Sequence, residues 1–207
     1  MPARTRLNQS LQRITDPSSP AFARCMQILV ESMSVSVQLE NARLLELLGG
    51  DDYRLYGLRV DDDIVAMAIL YVPARKDFAW LDYMAVAPAH RGRGLGSGLF
   101  RQLLDTIATS RPAARHLILE VNDDRIQFYR RLGAKLLANV EYFFPSPNGP
   151  AVSMRLMVCF LGGGRTLSPP AVSAAIEEIF IAIHRRKPDD PLLRSIVDGL
   201  PAELAVH

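Results

Sequence analysis

A chain of 207 residues, 49% apolar and 22% charged, can bury one core of ordinary size, which excludes a disordered polypeptide. A formal net charge of +2, with basic residues spread along the chain, excludes the concentrated basic face of a nucleic-acid binder. The longest apolar run, Ile64 to Val72, is far too short to span a bilayer, so no membrane partner is expected.

The opening segment MPARTRLNQSLQRITD has neither the apolar stretch nor the small-residue cleavage site of a signal peptide. Cys25 and Cys159 stand far apart in apolar surroundings, without metal-ligand or disulfide spacing. They read as buried free thiols, which suits a reducing cytoplasm, and no metal is expected.

Helical spacing of Phe22, Met26, Leu29 and Met33 predicts a helix over 21–33, with Pro20 in its first turn. A second helix is expected over 38–48, closed by Gly49 and Gly50. Strands follow over 53–60, 64–72 and 78–86, the first two joined by a turn at Asp61–Asp63. After Pro88 the chain reads AHRGRGLGSG, and then Leu95, Leu99, Leu103, Leu104 and Ile107 mark an amphipathic helix ended by Arg111-Pro112. The run 116–121 reads as a central buried strand, and a short helix over 125–132 ends at Gly133. Two more strands are expected near 136–144 and 152–161. Gly162–Gly164 looks like a linker to a helix carrying Val172, Ile176, Ile179, Phe180 and Ile183, and Pro188–Pro191 breaks it and starts a last short helix. The reading is an α/β (α+β) domain over 1–161 and a helical extension over 165–207. The apolar stripe of the extension must be covered, either by its own domain or by a second copy across a two-fold axis, and the homodimer is the preferred reading.

The glycine-rich turn carries the strongest chemical signal. The first N–H groups of a helix have no partner within it and the dipole favours negative charge there. Gly92, Gly94, Gly96 and Gly98 let a phosphate approach the backbone, and Arg91 and Arg93 add charge. No Lys-Ser/Thr follows the last glycine, so a P-loop is excluded. The dinucleotide fingerprint fails at its third glycine, although Glu120 ends a strand about a helix later as a ribose-binding acid would.

The run Arg91-x-x-Gly94-x-Gly96, the stretch from Leu81 to Phe100 around it, Leu117–Val121, and Phe128-Tyr129-x-x-x-Gly133-Ala134 together resemble the GNAT family of N-acetyltransferases. The resemblance covers about residues 10–160 and implies a mixed, mostly antiparallel sheet flanked by helices. It further implies acetyl-CoA as co-substrate and direct transfer of its acetyl group to a primary amine. The fourth and fifth strands of that fold splay to admit the pantetheine arm, which would hydrogen-bond the backbone around Met84, Ala85 and Val86. The pyrophosphate would lie on the amides of Arg91, Gly92, Arg93, Gly94, Leu95, Gly96 and Ser97, with Asn122 near the pantetheine or adenosine part.

Tyr129 matches the family tyrosine that protonates the leaving thiolate. Glu120 is a carboxylate in an apolar strand, where burial raises its pKa toward useful base strength. Asp82 is a second candidate base, placed by alternation on the face of Trp80 and Met84. Glu120 is preferred. His90 and His116 read as surface residues. The acceptor, an amine-bearing small molecule or peptide, would meet residues from 33–41, 141–150 and the tail, with Glu40, Tyr142, Phe143 and Phe144 as candidate contacts. A non-catalytic acyl-CoA-binding module and a nicotinamide-dependent oxidoreductase are the alternatives.

Overall fold

Ser19 accepts the Phe22 N–H with its hydroxyl at 3.2 Å and Pro20 fills the first helical position, so α1 spans Pro20–Ser32. The computed structural model describes residues 9–147, 149–163 and 166–207. Residues 1–8, half of the segment read for a signal peptide, therefore lie outside the described residues, as does Gly164 of the expected linker.

The second helix, α2, spans Asn41–Leu48 and starts later than its apolar spacing suggested. Residues 35–37 form a separate 3-10 turn capped by Ser34. The Tyr83 hydroxyl holds the connection by donating to Val37 O at 2.8 Å and accepting the Leu39 N–H at 3.0 Å. That link competes with helix formation before Asn41.

Among the described residues the sheet has eight strands: β1 (Gln9–Ile14), β2 (Tyr53–Val60), β3 (Asp63–Tyr71), β4 (Phe78–Val86), β5 (His116–Val121), β6 (Lys135–Leu136), β7 (Tyr142–Phe144) and β8 (Val152–Phe160). Their order is β1-β2-β3-β4-β5-β8-β6, with β7 also on β8. Every pairing is antiparallel except β4 with β5. The strand expected over 136–144 is two short strands, because residues 138–139 turn and the Asn139 side chain is held by Glu203 O and the Ala205 N–H. The chain end then pairs with β6: Leu136 N–H donates to His207 O at 2.7 Å and His207 N–H returns to Leu136 O at 3.0 Å.

Helices cover both faces of the sheet. α3 (Leu95–Ser110) and α4 (Ile126–Arg130) enclose a core with Leu99, Phe100, Leu103, Leu117, Leu119 and Tyr129. α1, α2, α5 (Pro169–Ala182) and α6 (Pro191–Asp198) enclose the other, around Ile28, Trp80, Ile118 and Tyr142. The tail stripe Val172, Ile176, Ile179, Phe180 and Ile183 is fully buried in this second core. Covering by the chain's own sheet is thus what the structure shows, in place of the two-fold contact preferred from sequence. Intramolecular packing hides the same apolar surface without the loss of freedom that association costs. Among the described residues no helix is long and apolar enough to cross a membrane, and no cluster of His, Cys, Asp or Glu could hold a metal.

Candidate active site

β4 and β5 run side by side only from Phe78↔His116 to Leu81↔Leu119. Beyond that point β4 stays with β3 as far as Val86, and β5 stays with β8 as far as Val121. A wedge opens between them and leaves one edge of residues 82–86 without a strand partner. A cleft of about 720 Å³ occupies the opening.

Asp82 is the residue where β4 changes phase. Leu70 pairs with Leu81 and Ile69 pairs with Tyr83, so Asp82 is an extra residue, a bulge. Before it, Phe78 and Trp80 face the α1/α5 core; after it, Tyr83 and Ala85 do. Met84 and Val86 consequently face the α3 core. This corrects the simple alternation, which put Asp82, Trp80 and Met84 on one face: strict period-two counting does not survive a bulge.

Glu120 stands across the wedge from Asp82, on a strand whose Leu117, Leu119 and Val121 face the α3 core and whose Ile118 faces the other. Both carboxylates line the cleft and keep some exposure there, yet Asp82 Oδ1 and Glu120 Oε2 are fully covered and have no hydrogen-bond partner. Burial pushes the Asp82 carboxyl up to about 7, and the Tyr53 hydroxyl, which donates to Asp82 Oδ2, opposes this in part. Burial, with the Asp82 charge adding to it, pushes Glu120 up to about 8. The Trp80 indole N–H and the Tyr142 hydroxyl lie beside Glu120 and hold it down somewhat, although neither closes a hydrogen bond of ordinary geometry. The two rings are 6.1 Å apart, and Tyr142 in turn packs on Phe180 of the tail at 6.4 Å.

Tyr129 lies on the other side of the opening, in α4. Its ring packs edge-on against Phe100 at 5.2 Å and Phe128 at 4.9 Å, and it lines the cleft. Burial raises its pKa above the usual phenol value, so it carries its proton at neutral pH.

The glycine turn opens α3. Gly94 is the N-cap with φ +77° and Gly92 has φ +76°, a left-handed backbone that other residues adopt only with strain. The first intrahelical bond is Gly98 N–H to Gly94 O, 3.0 Å, and no side chain caps the helix. The N–H groups of Leu95, Gly96 and Ser97 thus have no partner within the helix. A Cβ at Gly96 would lie in ordinary contact with Phe128 and Val86, at 3.4 and 3.5 Å. Arg91 donates from Nε to Val86 O at 3.1 Å and from Nη2 to Ser32 Oγ at 3.0 Å, tying the turn to β4 and α1.

Of the residues selected from sequence, Asp82, Met84, Ala85, Val86, Arg91, Gly92, Gly94, Leu95, Gly96, Ser97, Glu120, Asn122 and Tyr129 all line this cleft. Arg93 does not; it is exposed. His90 borders the cleft, whereas His116 is buried, with Nε2 3.0 Å from Thr166 O, and is not the surface residue expected. Phe144 lines the cleft; Glu40, Tyr142 and the tail do not. Tyr53, Tyr83 and Trp80 were missed, and Tyr142, expected as an acceptor contact, lies instead beside Glu120. Aromatic residues in strands read as core, and nothing in their spacing announces a polar end turned to a carboxylate, as in Tyr53 and Trp80, or to the backbone of residues 37 and 39, as in Tyr83.

The model of the GNAT family of acetyltransferases matches residues 22–134, more than half of the chain. The chain belongs to the GNAT acetyltransferase family. Its fold is shared by a GNAT-family protein from Bacteroides thetaiotaomicron at TM-score 0.72 and 21% identity, covering 86% of this chain and 99% of that one. It is also shared by the ribosomal-protein-S18-alanine N-acetyltransferase of Escherichia coli at 0.57 and 22%, over 77% and 98%. Arabidopsis thaliana NAA60 in complex with acetyl-CoA matches at 0.59 and 15%, over 75% and 99%. No curated protein matches the chain in sequence. As a GNAT acetyltransferase the chain is an enzyme of acetyl transfer, and the dinucleotide-binding alternative falls.

Proposed function

We propose that this enzyme transfers the acetyl group of acetyl-CoA to a primary amine by direct attack, within the wedge between β4 and β5. One observation carries the reading: the opening is lined by the half-buried carboxylates Asp82 and Glu120 and, on the α3 side, by the protonated phenol of Tyr129. The coenzyme lies on the α3 side, its pyrophosphate on the N–H groups of the Arg91–Ser97 turn and its pantetheine along the unpaired edge of Met84–Val86. The thioester then sits in the opening itself.

Glu120 takes a proton from the attacking ammonium, either directly or through water. The amine nitrogen forms a bond to the thioester carbonyl carbon, and the C–S bond then breaks. Tyr129 donates its proton to the departing sulfur, giving CoA thiol and the amide. The nitrogen gives up its second proton as the amide forms, and that proton passes through the cleft water to the Tyr129 phenolate. The proton first taken by Glu120 leaves to bulk water, so one proton is released per turnover and the site is reset. Asp82 keeps Glu120 basic by its charge, and Tyr53 holds Asp82 in place.

Binding is tested by thermal shift and calorimetry: acetyl-CoA should stabilise the protein and NADH should not. Release of CoA thiol in the presence of an amine panel tests the transfer. Gly94→Val puts a branched side chain where φ is positive and where the pyrophosphate must approach. It should weaken acetyl-CoA binding at least tenfold, about 1.4 kcal/mol. Unchanged affinity in a variant that keeps its circular dichroism spectrum would remove the coenzyme from this turn.

A further inference from the structure

The cleft has two chemically different halves. On the α3/α4 side it meets Arg125, Arg131 and the glycine turn. On the α1/α5 side it is walled by Met33, Val37, Tyr83, Phe144, Val152 and Met154, with the Ser34 and Ser36 hydroxyls at its rim and Asp82 and Glu120 at its floor. Among the described residues of that half there is no cation. Arg91 lines the cleft beside Ser32, and its guanidinium is engaged by Val86 O and Ser32 Oγ.

A carboxylate entering this half would leave water for an apolar wall and face two carboxyl groups with nothing to pair it. A second ammonium would meet the same apolar wall without a carboxylate of its own, since both acids stand together at the floor. Asp82 and Glu120, which line the cleft and keep some exposure there, can receive one ammonium. The Tyr83 hydroxyl bonds hold the Met33–Val37 wall against β4, so the enclosure is built in advance.

We infer that the acceptor is a primary amine carried next to an uncharged, apolar group, with neither a free carboxylate nor a second ammonium close to the reacting nitrogen. The inference rests on the acetyl-transfer reading above and narrows it. A peptide N-terminus with an apolar first side chain and a free arylalkyl or alkyl amine both present this chemistry. Free α-amino acids and polyamines do not.

The test is CoA thiol release from acetyl-CoA with four acceptors: phenethylamine, a short peptide beginning with Phe, phenylalanine and spermidine. Phenethylamine and phenylalanine differ by one carboxylate. The expected result is a kcat/KM at least tenfold higher for phenethylamine or the peptide than for phenylalanine or spermidine; which of the first two leads tells a small-molecule source from a peptide one. Met154→Lys, or Val152→Lys if the first variant does not fold, places a cation in the wall and should raise phenylalanine at least tenfold relative to phenethylamine. Phenylalanine or spermidine matching the apolar amines in the native enzyme overturns the inference and leaves the acetyl-transfer reading standing. Absence of thiol release with all four, in a protein that binds acetyl-CoA by calorimetry, overturns the transfer reading and the inference with it.

Discussion

Glu120→Gln should lower kcat by about 10³-fold and at the same time make the protein more stable above neutral pH. The rate effect follows from losing the general base, typically worth 10²–10⁴-fold. In the native enzyme the base acts only when ionised, so kcat/KM should rise with pH through about 8, the value to which burial and the neighbouring Asp82 charge push Glu120. The variant should lack that rise.

The stability effect has the opposite sense. Glu120 and Asp82 hold their protons more tightly folded than unfolded, with folded values of about 8 and about 7. Folding therefore takes up protons between the ordinary carboxylate range and these values. Their favourable contribution is complete below about pH 4 and is lost as the pH rises through 7 and 8. A neutral amide escapes that loss. Thermal denaturation of Glu120→Gln should give a melting temperature several degrees above native at pH 9, at about 2–4 °C per kcal/mol for this chain length, with no gain near pH 4. Native activity in the variant would transfer the base role to Asp82, and an equal stability gain at both pH values would show that the carboxyl is not perturbed.

Tyr129→Phe should lower kcat about 100-fold while acetyl-CoA affinity stays within about twofold of native. The hydroxyl acts on a sulfur that becomes a strong proton acceptor only as the C–S bond breaks, so its removal falls on the transition state and not on binding. The ring contacts with Phe100 and Phe128 need no hydroxyl and are kept, so the fold is not at issue. Stopped-flow or steady-state thiol release, with calorimetry of acetyl-CoA on the same preparation, separates the two. A native rate on a confirmed acceptor would mean that the thiolate takes its proton from water or from the incoming ammonium.

Much of this site could be read along the chain because its parts are local. The glycine turn is a short motif whose conformation depends on its own residues, and positive φ at Gly92 and Gly94 is what glycine at those positions allows. β4 and β5 were located to the residue, since continuous apolar runs bounded by turns report burial on both faces. β1 was missed for the converse reason: Gln9–Ile14 is an edge strand with mostly exposed polar residues, and it exists because β2 offers a ladder of hydrogen-bonding groups.

The amino-acid sequence by itself determined the order of the main helices and strands, the glycine turn that opens α3, and the elements that carry Asp82, Glu120 and Tyr129. Only the tertiary structure decided which faces they occupy. The bulge at Asp82 depends on the pairing of β3 with β4, and it turns Met84 away from the carboxylates. The groups around Glu120, Trp80 and Tyr142 beside it and Phe180 of the tail packed on Tyr142, are brought together from about a hundred positions of chain. Covering of the tail stripe was decided the same way, because an apolar helix face specifies that it must be buried but not against what.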